Sequence, residues 1–181
     1  MIRLRPLERE DLRQLRDWRN DPEIFSRVRE YRYLNMENQE AWFDSLRDDR
    51  NTIMFGIEYY ESPGNKVPPK LIGVCGLTNI DWVARRAEIS IYIGNKDYRG
   101  KGLGIEILNS LAKYAFGECN LNRLWAEIFA ANIAGEKVFV KAGYKKEGTL
   151  RCHAYKNNML NHCHIYGLLR SECLLTDVHV A

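Results

Sequence analysis

Three features of the sequence predict an α+β domain built on a mixed, largely antiparallel sheet. Two apolar segments, Thr52 to Tyr60 and Leu71 to Ile80, flank the turn-forming loop Glu61 to Pro69 (ESPGNKVPP) and read as a hairpin with a long tip. The stretch Glu88 to Leu111 (EISIYIGNKDYRGKGLGIEILNSL) passes from strand to glycine-rich turn to helix. Two last segments, Tyr144 to Tyr155 and Leu160 to Leu169, read as strands around the turn Lys156-Asn157-Asn158. No repeat, low-complexity tract or linker interrupts the 181 residues, so a single domain, 1–181, is expected.

Taken in order, Ile2 to Leu7 reads as a first strand ended by Pro6. Glu8 to Arg19 carries Leu12, Leu15 and Trp18 or Arg19 at helical spacing, and the following Asn20-Asp21-Pro22 breaks that helix. Arg27 to Tyr33 (RVREYRY) is aromatic and basic without clean periodicity. Asn35 or Asn38 can cap a second helix, Gln39 to Leu46. Ile89, Ile91 and Ile93 share one face of a strand over Arg85 to Ile93, and Leu103, Ile107, Leu111 and Ala115 line one face of a helix reaching about Phe116. Arg123 to Phe129 is a strand, with Leu124, Ala126 and Ile128 opposing Trp125, Glu127 and Phe129. Asn132 to Ala142 is a short helix stopped by Gly143.

A hydrophobic fraction of 45% with 28% charged residues excludes disorder. The net charge of +3 suits anionic small molecules and is too weak to argue for a nucleic-acid partner. Cys75, Cys119, Cys152, Cys163 and Cys173 are odd in number and form no CxxC pair, which fits reduced thiols in a cytosolic protein. The start, MIRLRPLEREDL, has no apolar signal region, and no apolar run approaches ~18 residues. A cytoplasmic protein with no membrane partner is expected.

The turn Arg99-Gly100-Lys101-Gly102-Leu103-Gly104 stands where a helix must begin. Unpaired N–H groups and the positive end of the helix dipole meet there, and missing side chains let an anion approach the backbone. A P-loop needs Gly five residues before its Gly-Lys pair, where Asn95 stands. A dinucleotide fingerprint from Gly102-Leu103-Gly104 needs Gly or Ala at Ile107. What remains is Arg-x-x-Gly-x-Gly between strand and helix.

Arg99, Gly102 and Gly104 in that setting, with Asn132 and the run to Gly143-Tyr144 downstream, resemble the GNAT superfamily of acetyl-CoA-dependent N-acetyltransferases. The resemblance implies a sheet whose strands 88–93 and 123–129 splay apart. It implies acetyl-CoA as donor, with backbone of Gly100, Lys101, Gly102, Leu103, Gly104 and Ile105 holding the pyrophosphate and no metal required. Ile91, Tyr92 and Ile93 would pair with the pantetheine like an added strand, and Asn132 would bond it. It also implies direct attack by the amine, without an acetyl-enzyme.

Acetyl transfer needs a base for the amine and stabilisation of the charging carbonyl oxygen. Glu88 lies opposite the isoleucines and is the first candidate base; an ion pair with Arg85 or Arg86 is its structural alternative. Glu127, on the other splayed strand, is the second, against a plain sheet ion pair. Many members of the superfamily carry a tyrosine seven residues after the asparagine as acid for the thiolate; here Phe139 stands there and packing is its plain role. Tyr92, Tyr114 or water are the remaining acids. His162 and His164 share a face near His153 and Cys152, yet match no standard zinc spacing.

The acceptor is expected to be a small-molecule amine met by the N-terminal third. Glu147 to Arg151 and Tyr166 to Leu169 resemble the ribosomal-protein Nα-acetyltransferase branch, whereas Trp18-Arg19-Asn20-Asp21-Pro22 and Gln39 to Phe43 resemble enzymes that acetylate nucleotide-linked amino sugars. Trp18 and Arg19, with Arg29 clamping a diphosphate and Tyr31 and Tyr33 stacking on base or sugar, form the expected acceptor set. The basic segment favours the nucleotide-linked acceptor; a protein N-terminus and a non-catalytic acyl-CoA-binding module are the other readings. A homodimer is within expectation.

Overall fold

The strand period of two and the helix period of four place one continuous apolar surface between sheet and helices. In the computed structural model, which describes residues 1–61 and 68–173, the strands are β1 (Ile2–Pro6), β2 (Ile53–Tyr59), β3 (Lys70–Asp81), β4 (Arg86–Ile93), β5 (Arg123–Phe129), β6 (Lys145–Lys156) and β7 (Met159–Leu169). The helices are α1 (Leu12–Asn20), α2 (Pro22–Phe25), α3 (Met36–Ser45), α4 (Leu103–Gly117) and α5 (Ile133–Lys141). The strands form a single sheet in the order β1-β2-β3-β4-β5-β7-β6, antiparallel throughout except between β4 and β5. This is the expected mixed α+β architecture.

Ile107, Leu108, Leu111, Ala115 and Phe116 of α4 are fully buried against Ile89, Leu124, Ala126 and Ile128 of the sheet. Truncating any of the larger ones to alanine would cost about 2–5 kcal/mol. A second, smaller cluster on the opposite face joins Leu7, Leu12, Leu15 and Val74, with Trp18, Phe43 and Tyr92 packed on it. Alternation along β4 therefore sends the isoleucines to the α4 side and Glu88, Ser90 and Tyr92 to the α1–α3 side.

Several boundaries differ from expectation for local reasons. The first helix opens as a 3₁₀ turn, Arg9–Asp11, held by reciprocal Glu8 and Asp11 caps, and runs to Asn20. Asp21 then caps a one-turn helix with Pro22 at its first position, so Asp21-Pro22 restarts a helix where a break was expected. Asn35, answered by Asn38, caps α3, which moves its start from Gln39 to Met36. The last hairpin turns on Asn157 and Asn158 alone, both at positive φ (52° and 60°), leaving Lys156 in its strand. Most of the loop expected over Glu61 to Pro69 lies outside the described residues.

β4 and β5 pair only through Arg86–Arg123, Ala87–Leu124 and Glu88–Trp125. Beyond that register each turns to another neighbour: Ile91, Tyr92 and Ile93 face Cys75, Val74 and Gly73 of β3, and Glu127 faces Ile165 of β7. The sheet thus opens into a cleft whose floor is at Glu88, as expected for splayed strands.

Candidate active site

At the mouth of the cleft, β4 runs through a 3₁₀ turn, Lys96–Tyr98, into the glycine turn and α4. Gly100 and Gly102 sit at φ +73° and +79°, where a side chain is strained, and a Cβ added at either would meet nothing within 4 Å. The turn is therefore bare backbone open to solvent, directly before the first amides of the 15-residue α4, with no side-chain cap. Gly104 has a different reason: a Cβ there would lie 2.9 Å from Val138 of α5, so it lets the two helices close. This open cradle and the unpaired stretch of β4 fit a pyrophosphate with an extended arm.

Arg99 is tied down by three hydrogen bonds. Its Nε and Nη2 donate to the Ile93 and Gly94 carbonyls, both at 2.8 Å, and its Nη1 to Glu23 at 2.7 Å, so it holds the turn in shape. Lys101 sets its ammonium 5.3 Å from the Tyr98 ring centroid. Leu103 is buried, and the Ile105 amide returns to Gly102 O at 3.1 Å. Asn132 caps α5, accepting from the Gly135 amide at 3.1 Å. Phe139 is buried, edge-on to Tyr144 at 5.0 Å, which is the packing role expected of it.

The cleft floor holds the acidic pair. Glu88 and Trp125 are register partners, so Glu88 and Glu127 project from the same face on opposite sides of the split. Their side chains are only 3% and 6% exposed. One guanidinium spans both: Arg29 Nη2 donates to Glu88 Oε1, and Nη1 to Glu127 Oε2 at 3.3 Å. Asn79 Nδ2 donates to Glu88 Oε2 at 2.7 Å, and His153 Nε2 lies 3.6 Å from Glu127 Oε2. Glu127 Oε1 is buried without a hydrogen-bond partner of standard geometry among the described residues. Beside the pair, burial foremost and then the Glu127 carboxylate push the Cys163 thiol up to about 12. Burial likewise raises the Tyr92 phenol, partly opposed by Arg19, which makes it a poor proton donor to any but a strong base.

The ion pair considered for Glu88 with Arg85 or Arg86 does not form. Arg85 donates to Asn120, and Arg86 lies 3.5 Å from Asp81. The expected acceptor set is also rearranged. Arg29 is engaged by the carboxylates rather than left available as a diphosphate clamp, and Arg32 is forked onto Glu30 at 3.0 Å. Tyr31 is 77% exposed; Tyr33, 69% exposed, stacks on Phe25 at 4.6 Å. Trp18 covers Gly94, where any Cβ would strike its ring, and Arg19 lies 5.8 Å from the Tyr92 ring centroid. Both pack the end of β4.

A family model described as an acetyltransferase (GNAT) domain matches residues 2–145. The chain belongs to the GNAT acetyltransferases. It is 30% identical over 149 residues to the spermidine N(1)-acetyltransferase of Escherichia coli K12, covering 82% of this chain and 75% of that protein. It is 35% identical over 124 residues to a putative ribosomal N-acetyltransferase, YdaF, of Bacillus subtilis, covering 68% and 63%. Among solved structures, spermidine N-acetyltransferase of Vibrio cholerae in complex with CoA and spermine superposes with a TM-score of 0.86 at 25% identity, covering 94% and 96%. As a GNAT enzyme, the protein is an acetyl-CoA-dependent N-acetyltransferase. Among the described residues no helix is long and apolar enough to cross a membrane, and no three His, Cys, Asp or Glu side chains group as metal ligands.

Sequence reasoning missed Asn79 and Lys156. Asn79 sits at φ 50° where the β3–β4 register shifts, and that bulge aims its amide at Glu88; an asparagine inside a strand pattern was the available signal. Lys156 is 5% exposed, with its ammonium 3.4 Å from the Phe25 ring centroid and bonded to Glu30 O at 2.5 Å. Burial pushes that ammonium below its usual pKa, Arg19 adds to the effect, and Glu30 opposes it. A lysine at a hairpin turn gives no sequence signal of burial. His162 and His164 bind Cys152 N and Glu136 respectively, as local structure.

Proposed function

We propose that this GNAT enzyme is one catalytic domain that acetylates a primary amine of a small cationic acceptor of the polyamine kind. The observation that carries the reading is the buried Glu88–Glu127 pair meeting a single cation at the floor of the cleft. A site that already seats a guanidinium between two carboxylates is suited to an ammonium in the same place. The relatives that are spermidine acetyltransferases support the same acceptor class.

In this reading the open turn from Gly100 to Ile105 receives the CoA pyrophosphate, and the edge of β4 over Ile91 to Ile93 receives the pantetheine arm. Acetyl-CoA supplies an activated thioester carbonyl. Glu88 takes a proton from the acceptor ammonium, directly or through water; the freed amine forms the C–N bond as the C–S bond breaks and the thiolate departs, and the nitrogen gives its second proton to water. Glu127 keeps a second negative charge against the acceptor cation. Phe139 packs and donates no proton, so the departing thiolate is met by water or leaves as the anion.

A second reading, acetylation of a protein N-terminus, is favoured by the identity to the putative ribosomal enzyme. The nucleotide-linked amino sugar loses its support, because Arg29 and Arg32 are both bound by internal carboxylates. Thiol release from acetyl-CoA separates them when measured with spermidine, an N-terminal Ser/Ala peptide and a UDP-amino sugar. Turnover with spermidine is expected. Turnover with the peptide or the sugar alone would overturn the polyamine reading.

A further inference from the structure

We infer that Arg29 is an internal competitor for the acceptor: its guanidinium occupies the cation seat between Glu88 and Glu127, and acceptor affinity is set by how readily it swings out. The inference rests on the reading of that pair as the acceptor's seat.

Two observations give the swing its form. The backbone around Arg29 is pinned from both sides. Lys156 holds the Glu30 carbonyl at 2.5 Å, Phe25 and Tyr33 stack at 4.6 Å, and Asn20 and Leu34 exchange two hydrogen bonds of 2.8 Å. The Arg29 side chain, by contrast, is 52% exposed, while the carboxylates it reaches are almost wholly buried. Release is therefore a side-chain rotation into solvent, not a loop opening, and such rotations take picoseconds to nanoseconds.

The chemistry makes the competition obligatory. Glu88 Oε1 is engaged by Arg29 and Oε2 by Asn79, so an ammonium that is to sit between Glu88 and Glu127 must displace the guanidinium. Two buried like charges need a cation; Arg29 supplies one, and an incoming ammonium substitutes for it. If the released form is populated on the order of one part in ten, every amine binds about tenfold more weakly than it would to the released seat. The same factor applies to each acceptor, because it is a property of the seat.

Steady-state kinetics of Arg29→Gln against wild type test this. Expected are a KM about tenfold lower for spermidine, a fall by the same factor for a simple monoamine, and an unchanged KM for acetyl-CoA. Methylguanidinium should inhibit Arg29→Gln competitively against the amine, and raise its Tm, at concentrations that leave wild type unaffected. An amine KM that is unchanged or higher, or equal methylguanidinium effects on both proteins, overturns the inference. Wild type that acetylates no amine would sink the functional reading instead, while the Tm comparison still decides whether Arg29 holds a cation seat. Should Arg29→Gln not fold, Arg29→Lys, a point charge that cannot fork across both carboxylates, is judged by the same criteria with a smaller fall in KM.

Discussion

Among the described residues two arginines each bridge two carboxylates, and they differ in how well they are sealed. On β1, Arg5 donates to Asp11 Oδ2 at 2.6 Å, Asp11 Oδ1 at 2.8 Å and Glu58 Oε1 at 2.9 Å. Arg3 and Tyr60 close on the remaining Glu58 oxygen at 2.8 Å and 3.0 Å. Arg5 is 20% exposed and its partners 10% each. At the cleft the carboxylates are buried more deeply, yet Arg29 is 52% exposed, contributes only its two Nη groups, and leaves Glu127 Oε1 without a partner of standard geometry among the described residues. The first cluster is saturated by its own chain and serves as a structural joint. The second is acidic in excess of what its arginine satisfies. An acidic surplus in a buried cleft is what a cationic substrate requires.

The largest test of that contrast is chemical. Glu88→Gln should lower kcat by about 10²–10⁴ with an acetyl-CoA KM close to wild type, because the amide keeps the shape and cannot take a proton. Asp11→Asn, the matching change in the sealed cluster, should leave kcat untouched while lowering Tm. A wild-type rate in Glu88→Gln would remove the base from the mechanism.

Next comes stability. Arg5→Leu strands two buried carboxylates and should cost about 3–5 kcal/mol in denaturant unfolding. Arg29→Gln should cost less than that, since the half-exposed guanidinium leaves room for a solvent cation in its place and Asn79 stays on Glu88. Equal losses would mean that the cleft cluster is structural too. The two also differ in pH response. Burial alone would raise the Asp11 and Glu58 pKa values. Around Asp11 the Arg5 guanidinium and the Glu8 amide outweigh it, and around Glu58 Arg3, Arg5 and Tyr60 do, so both stay below the usual carboxylate range. Depressed folded-state pKa values contribute stability that is present above the unfolded value, about 4, and is lost as pH falls through the folded one. Unfolding free energy of the wild type should therefore drop on acidification below about pH 4, and Arg5→Leu should flatten that slope.

What the sequence revealed follows from range. Local patterns were legible: the isoleucine alternation of β4, the fourfold spacing of α4, and the glycine turn between them all stand where their periods put them. Glu88 and Glu127 were legible as a face, because alternation fixes the side of a sheet. The partner of that face was not. Arg29 reaches the pair from a segment 59 and 98 residues distant in sequence, held there by a buried Lys156 whose position a hairpin pattern cannot show. The basic segment Arg27 to Tyr33 was legible as charge, and charge alone cannot tell a ligand clamp from an internal salt bridge. That ambiguity is what allowed the segment to be read toward a nucleotide-linked sugar.

The smallest effect separates the auxiliary donors. Glu58 has Arg3 and Tyr60 beside Arg5, whereas Glu88 has only Asn79 beside Arg29 among the contacts described. Asn79 lies at φ 50°, so replacing it by alanine would mix loss of the hydrogen bond with backbone strain of about 1–2 kcal/mol. Asn79→Gly keeps the left-handed backbone open and removes only the amide. It should lower kcat by about fivefold, the equivalent of about 1 kcal/mol for one hydrogen bond to a carboxylate, through looser placement of Glu88. Asn79→Ala should show the same kcat and a lower Tm. If the two variants instead match in Tm and differ in kcat, the bulge geometry rather than the hydrogen bond positions Glu88.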